Sequence, residues 1–231
     1  MTRVVALVRM RIAAYVGLQR VWPPLVAALA LVSVAHAGGV APPNQAYAFS
    51  AALLFGVFGW QTKLVLDTEP DEQRLLAKIG VGSRGRELAA GLLAALVMVL
   101  PVVVLGVVAP LLVGAVEISG GWPEWAAWVA FGGWLHVLSA MCGLAVGALA
   151  SRPVIAGAGW SVMIVLAVPV LVLVLGSRQS QTPRWLVPQL FAASRIEGAA
   201  DLGSAGVITV HALGWAALLL AGYAALRRSR F

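Results

Sequence analysis

The sequence predicts an all-α polytopic membrane protein with six transmembrane helices, an N-terminal interfacial helix, a short cytoplasmic helix and short outer re-entrant helices. Of its 231 residues, 61% are hydrophobic and only 11% are charged, and the mean hydropathy is +0.93. A soluble globule of this size would need more polar residues for its surface. Because one spanning helix takes about 20 mainly apolar residues, six spans use nearly the whole chain. We therefore expect a single transmembrane domain over residues 1–231.

Long apolar runs set the expected positions of the six spans. They cover residues 22–40, 47–66, 88–115, 125–150, 154–176 and 204–226. The third run is longer than one span requires and contains Pro101 and Pro110, so we expect it to be kinked or broken near its outer end. Trp122, Trp125 and Trp128 stand where the fourth span would enter from outside, as in an interfacial aromatic belt.

The distribution of basic residues predicts that both termini are cytoplasmic. Of the 16 Lys and Arg residues, thirteen fall before the first span, from Lys63 near the end of the second span to Arg86, at Arg152 or after the last span. The opposite side has only three, Arg178, Arg184 and Arg195. This bias follows the positive-inside rule and fixes the expected orientation. The expected localisation is the cell (plasma) membrane, as a multi-pass protein. No single basic stripe of the kind that binds nucleic acid is present in the sequence.

The first segment, residues 1–21, is predicted to be a helix lying along the inner membrane surface. Arg9 and Arg20 lie three turns apart on one stripe, and Leu7 lies on another face. Arg11 points nearly opposite to Arg9, so the amphipathic pattern is imperfect. A basic lead-in that only orients the first span therefore stays open as an alternative.

The longest cytoplasmic loop is expected to hold a solvent-facing helix over residues 68–80. Four acidic residues precede four basic ones in this loop, which follows the helix dipole. Thr68 is the expected N-cap with Asp71 in the third position, Pro70 suits the first turn, and Gly80 is placed to end the helix.

Leu75, Leu76 and Ile79 give this loop helix an apolar face with a charged rim. Such a face is typical of a surface that docks a cytoplasmic partner. The same pattern fits a solvated loop helix that packs only on its own membrane domain.

A resemblance to a known family lies in this loop. The coupling-helix region of permease subunits of type-2 ABC exporters is similar to the run Asp71-Glu72-Gln73-Arg74-Leu75-Leu76-Ala77-Lys78-Ile79-Gly80-Val81-Gly82-Ser83-Arg84. The order of an interfacial helix, six spans, a charged first cytoplasmic loop and a longer outer loop before the last span also resembles that family.

The resemblance implies a set of partners. Two permease subunits, identical or related, would pair in the lipid bilayer, and each loop would seat in a separate ABC ATPase subunit that binds ATP and Mg²⁺. ATP-driven closure would then move a substrate outward. The residues implied to contact the ATPase are Asp71, Glu72, Arg74, Leu75, Leu76 and Lys78.

The outer loop over residues 177–203 is expected to form short helices that dip back into the membrane. It holds Trp185 and Phe191 among prolines and polar residues. The resemblance implies a gate at the outer mouth, with Trp185 and Phe191 as its residues. An ordinary surface loop with an interfacial tryptophan fits the sequence equally well.

Few polar residues fall inside the expected spans, and no Asp or Glu lies deep in one. This argues against a proton- or sodium-coupled carrier, which usually keeps an intramembrane carboxylate. Gln61, His136, Ser139 and His211 are the candidates for a substrate pathway. A lone histidine in a span more often bonds a neighbouring helix than a metal or a proton, so no metal site is expected. Because the pathway has almost no charge, we expect an apolar or amphipathic substrate.

Small residues in the fourth span predict a close contact between helices. Gly143 stands four residues before Gly147 and four after Ser139, which gives two small-xxx-small pairs. Such pairs let helix backbones approach closely in a membrane. The spacing is also frequent by chance in apolar helices.

The sequence contains no G-x-x-x-x-G-K-[ST] loop, no G-x-S-x-G elbow and no H-E-x-x-H motif. We therefore expect a transport subunit and not an enzyme, with no catalytic residue and no cofactor bound by this chain. Two other hypotheses stay open: a small secondary carrier or channel that needs no ATPase, and a membrane enzyme or scaffold.

Overall fold

The structure, a computed structural model, describes residues 2–177, 184–199 and 201–230, and this part of the chain is all-helical. The predicted all-α class is confirmed. The α-helices are α1 (Thr2–Gly17), α2 (Trp22–Ala35), α3 (Pro43–Leu66), α4 (Asp71–Val81), α5 (Arg84–Leu112), α6 (Trp122–Leu149), α7 (Ala158–Ser177) and α8 (Leu202–Arg230). Two short 3₁₀ helices, Arg184–Leu186 and Leu190–Arg195, precede α8.

Five of these helices, α3, α5, α6, α7 and α8, are long and apolar enough to cross a membrane. α1 and α2 meet at 74° across a short break and together make a sixth candidate. α2 has 14 residues, which is about 21 Å of helix, whereas a hydrocarbon core is about 30 Å thick. The predicted span, 22–40, runs past the end of this helix at Ala35. Gly38 and Gly39 follow the helix, and Gly39 has a φ of +103°, which an α-helix cannot continue.

The third predicted span forms one continuous helix, so of the expected kink or break the break is absent. α5 begins after Ser83, whose hydroxyl accepts a hydrogen bond from the backbone N–H of Arg86 at 3.2 Å. It then continues through Pro101 and Pro110 to Leu112. Membrane helices tolerate proline because neighbouring groups satisfy the freed carbonyls.

α3 is the central helix, since α2, α5, α6, α7 and the 3₁₀ helix Leu190–Arg195 all pack against it. Its closest neighbour is α6. A Cβ atom on Gly147 would lie 2.2 Å from the carbonyl oxygen of Gly59, and one on Gly143 would lie 2.8 Å from that of Phe55. The close contact predicted from the small-xxx-small spacing is therefore confirmed.

The loops separate to the two ends of the bundle. At one end, the backbone N–H of Ala41 donates to the carbonyl of Ala115 at 3.0 Å, and the N–H of Glu117 donates to the carbonyl of Ala41 at 3.1 Å. The Asn44 side-chain amide donates at this end to two backbone carbonyls in segment 184–199, both at 2.9 Å. α1, α4 and the end of α8 meet at the other end. The loops are thus grouped as alternating spans require.

Trp128 does not belong to an aromatic belt. Trp122 and Trp125 stack with ring centroids 5.1 Å apart and are 75% and 37% exposed. Trp128 is only 7% exposed and packs edge-on against Phe131 at 5.3 Å. At 100° per residue, a position six residues after Trp122 faces about 240° away from it. The third tryptophan therefore turns into the core.

The outer loop is described only in part, because residues 178–183 and 200 lie outside the described chain. The two 3₁₀ helices stand where re-entrant helices were predicted. Leu190 is fully buried in the main apolar core, and the Trp215 indole N–H of α8 donates to the carbonyl of Leu186 at 2.9 Å. The described part of this loop is therefore packed on the bundle.

We expect the substitution Gly147→Ala to destabilise the protein. The added methyl would meet the Gly59 carbonyl oxygen, which is backbone and can yield only if α3 and α6 move apart. Overpacking of this kind costs about 1–3 kcal/mol. The measurement is the midpoint of thermal unfolding in detergent.

The matched control is Gly133→Ala on the same helix, because nothing lies within 4 Å of a Cβ at that position. Alanine is the better helix former, so this variant should be neutral or slightly more stable. Equal midpoints for the two variants would contradict the close α3–α6 contact.

Candidate functional site

The loop helix α4 begins and ends at positions other than those expected. Pro70 is its N-cap, and it ends at Gly82, which has a φ of +78° and forms a left-handed C-cap. The hydroxyl of Thr68 does not cap α4, because it donates at 2.8 Å to a carbonyl in the last turn of α3. Gly80 lies inside the helix, since only Gly82 takes the left-handed conformation that ends it.

α4 turns its apolar face away from the rest of the protein. Leu75, Leu76 and Ile79 are 57%, 67% and 69% exposed. The opposite face holds Arg74 and Val81, which are 7% and 5% exposed. The predicted apolar face is thus present, and no described part of the chain covers it.

Arg74 differs from the other residues proposed for ATPase contact. Its guanidinium donates to the carbonyl oxygen of Leu66 and, at 3.2 Å, to Asp71. Burial and the neighbouring charge of Arg227 lower the pKa of Arg74, against the opposite effect of the nearby carboxylates. This side chain therefore holds α4 on the end of α3, and its contact with an ATPase stays a prediction. The other five are at least partly exposed: Asp71, Glu72, Leu75, Leu76 and Lys78.

Beneath α4 lies a buried group of four charged side chains, here called the ion cluster. Its members are Arg11 of α1, Glu69 of the α3–α4 loop, Glu87 of α5 and Arg227 of α8. Arg11 donates to Glu69 at 2.7 Å and to Glu87 at 2.6 Å, and Arg227 donates to the other oxygen of Glu87 at 2.9 Å. Two positive and two negative charges balance, so the cluster can be buried.

Arg11 is the centre of the ion cluster. Its second nitrogen donates to the backbone carbonyl of Glu87 at 2.9 Å, and it is only 4% exposed. Burial alone would lower the pKa of Arg11, but the hydrogen bonds and charges of Glu69 and Glu87 raise it above the usual value. A Cβ on Gly91 would lie 2.7 Å from this guanidinium, so the glycine makes room for it. In the sequence, the inward position of Arg11 was indicated only by its place on the helix face opposite Arg9.

Asp67 joins further segments at the same end. Its carboxylate accepts from Lys63 at 2.5 Å and from the backbone N–H of Arg152 at 2.7 Å. Its carbonyl oxygen accepts from Arg20 at 3.1 Å. The turn after α6 and the break between α1 and α2 are therefore fastened to the end of α3.

Three of the four candidates for a substrate pathway are fully buried in helix interfaces. Gln61 donates to a carbonyl of α5 at 2.6 Å, and Ser139 donates to one of α3 at 2.6 Å. The His136 ring is hydrogen-bonded to the hydroxyl of Ser50 at 3.1 Å. These buried side chains hydrogen-bond one helix to another. His211, on α8, is partly exposed, and a pathway role for all four stays a prediction.

An apolar groove that sequence reasoning missed lies between α2, α3 and α7. Its volume is about 720 Å³, within the range of about 300–1,000 Å³ that is typical of small-molecule sites. Trp60 and Val57 of α3 face Val165 and Pro169 of α7 across it. Trp60 lines the groove, whereas its neighbour Gln61, a candidate for the substrate pathway, points into the α3–α5 interface.

The two residues proposed for an outer gate lie on separate 3₁₀ helices. Trp185 is 68% exposed. Phe191 is partly buried, with its ring centroid 6.4 Å from that of Phe49. A Cβ on Gly176 would lie 2.9 Å from Phe191, so the phenylalanine ring packs tightly against this glycine near the end of α7. Their role as a gate stays a prediction.

Within the described residues, no group of three or more His, Cys, Asp or Glu side chains is placed to hold a metal ion. In comparisons with protein-family models, curated proteins and solved structures, nothing matches this chain. Function is therefore inferred from the residues and their geometry.

We expect Glu87→Gln to destabilise the protein strongly, because it leaves Arg11 and Arg227 with too little negative charge in a buried place. Breaking one side of a buried ion pair costs about 3–5 kcal/mol. The control is Glu72→Gln, an exposed carboxylate on α4 that should have almost no effect. Thermal unfolding in detergent compares them, and an unchanged midpoint for Glu87→Gln would contradict the role of the ion cluster.

Proposed function

We propose that this chain is the membrane-spanning permease subunit of an ABC exporter, which moves an apolar or amphipathic substrate outward with ATP hydrolysed by a separate ATPase subunit. In this proposal α3, α5, α6, α7 and α8 span the cell membrane. α2 makes a sixth span that is shorter than the hydrocarbon core and is accommodated by local thinning of the bilayer. α1 lies along the cytoplasmic surface, α4 is the coupling helix, and both termini are cytoplasmic. ATP and Mg²⁺ would bind only to the partner.

The observation that carries the proposal is the outward-facing apolar side of α4. An isolated helix of 11 residues is marginal in water, so its contacts with the bundle must hold it in place. Full burial of one large aliphatic side chain contributes about 1.5–3 kcal/mol. Leu75, Leu76 and Ile79 would gain this stabilisation only if a partner covered them. A helix held in advance in one position also loses little entropy on docking.

The ion cluster supports a coupling role for the same helix. Glu69 lies just before α4, and its carboxylate is bonded to Arg11, which is also bonded to Glu87 of α5. Glu87 is bonded in turn to Arg227 of α8. A displacement of α4 by an ATPase would therefore be transmitted to α1 and to two long apolar helices.

The apolar groove supports the proposed substrate class. It is lined almost entirely by aliphatic and aromatic side chains, and Lys63 at one end is already paired with Asp67. An apolar molecule could enter it directly from the bilayer, because α7 is mostly uncovered. The same uncovered helix leaves room for a second permease subunit, identical or related, whose pairing rests on the family resemblance.

We expect Leu75→Asp and Leu76→Asp to release a candidate ABC ATPase that is co-expressed with this chain. A charge in the apolar centre of an interface typically costs 2 kcal/mol or more, which is about a 30-fold loss of affinity. The measurement is the amount and activity of ATPase that copurifies with a tag on this chain.

The control is Leu202→Asp, which places the same charge on a leucine that is 82% exposed at the opposite end of the bundle. This variant should retain the ATPase. If all three variants retain it, or if the wild type binds none, the docking role of α4 is contradicted and the carrier, channel or scaffold hypotheses gain support.

A further inference from the structure

A small basic cleft opens between α4, the start of α5 and the end of α8. The charged residues that line it are four cations and two carboxylates: Arg74, Lys78, Arg84, Arg227, Asp71 and Glu87. Its volume is about 90 Å³, enough for a few waters or one small anion and too little for a larger molecule.

The two carboxylates of the basic cleft are already used within the protein. Both oxygens of Glu87 accept hydrogen bonds from the arginines of the ion cluster, and Asp71 pairs with Arg74 at 3.2 Å. Lys78 differs, because its ammonium makes no hydrogen bond or ion pair within the described residues. The cations of the basic cleft therefore outnumber its carboxylates, and no carboxylate in the described part of the chain neutralises the charge of Lys78.

The basic cleft lies at the level where the apolar helix surface ends. Leu226 of α8 is 46% exposed and immediately precedes Arg227. α8 has little of its apolar span covered by the rest of the chain, so lipid tails can lie along it. In a bilayer whose hydrocarbon core covers the apolar part of α8, a cation-rich cleft next to that surface would stand at the depth of lipid headgroups, where each Lys or Arg attracts anionic lipid by about 1 kcal/mol.

We propose that the basic cleft binds a phosphate group, supplied at this depth by an anionic phospholipid. The phosphate lies between Lys78 of α4 and Arg227 of α8, and the acyl chains lie against α8. The small volume restricts recognition to the phosphate itself. This inference does not rest on the proposed function, because a carrier or a scaffold with this structure would have the same cleft.

The test is native mass spectrometry of the full chain, titrated in neutral detergent with phosphatidylglycerol or phosphatidylcholine. The wild type should retain phosphatidylglycerol in preference to phosphatidylcholine. Lys78→Gln should weaken this retention about fivefold, and Lys78→Glu should weaken it further. Arg9→Gln is the control, because Arg9 is exposed on α1 and lies outside the cleft; it should bind as the wild type does.

A parallel titration with inorganic phosphate separates the two sources of the ligand. Retention of phosphatidylglycerol at millimolar phosphate identifies the lipid, whereas displacement shows that the cleft also takes the free anion, and both results support phosphate recognition. Equal retention by the wild type and Lys78→Gln would overturn the proposal. An equal loss in Arg9→Gln would also overturn it, because binding would then follow surface charge alone. Thermal unfolding without lipid verifies that the variants are folded.

Discussion

The sharing of Arg11 between two buried carboxylates is the interaction on which the rest of this end of the protein depends. Its partners Glu69 and Glu87 come from the loop before α4 and from α5, and Arg227 brings in α8. Replacing a whole buried ion cluster by apolar side chains is often neutral for stability, whereas removing one member is costly. We infer that the cluster fixes the relative positions of four segments, which packing of apolar helices alone would leave free to slide. This restraint fixes the orientation of α4 on the bundle, and with it the direction in which the exposed apolar face points.

The other constraint is the close contact of α3 with α6, made possible by Gly143 and Gly147. With little hydrophobic drive between helices in lipid, close packing and interhelical hydrogen bonds hold membrane helices together. The bonds of Gln61, His136 and Ser139 are of this kind. α2 and α7 pack on the opposite side of α3 and leave the apolar groove between them. One side of α3 is thus held to α5 and α6 by close packing and hydrogen bonds. The groove lies on the other side of α3, where α2 and α7 pack less closely.

Local pattern predicted much of the fold, and contacts between distant residues account for most of what it missed. Apolar runs located the five long helices, and Leu75, Leu76 and Ile79 indicated the face of α4. The pairing of Asp71 with Arg74 is visible at a spacing of three residues, whereas Arg11 lies 58 and 76 residues from its partners and no local pattern reveals it. Trp128 differs from the other two tryptophans because the helical turn carries it about 240° from Trp122, a rotation that nearness in sequence does not show. The groove was missed because its side chains are ordinary apolar ones.

The central claim is that the exposed face of α4 is covered by an ATPase, and cysteine protection tests it most directly. The only native cysteine, Cys142, is buried, so Ile79→Cys in a Cys142→Ala background places one reactive thiol at the centre of this face. We predict rapid maleimide labelling of the chain alone and strong protection when the ATPase is present, while Leu202→Cys at the opposite end labels equally in both. Labelling of Ile79→Cys at the same rate with and without the ATPase would contradict the account.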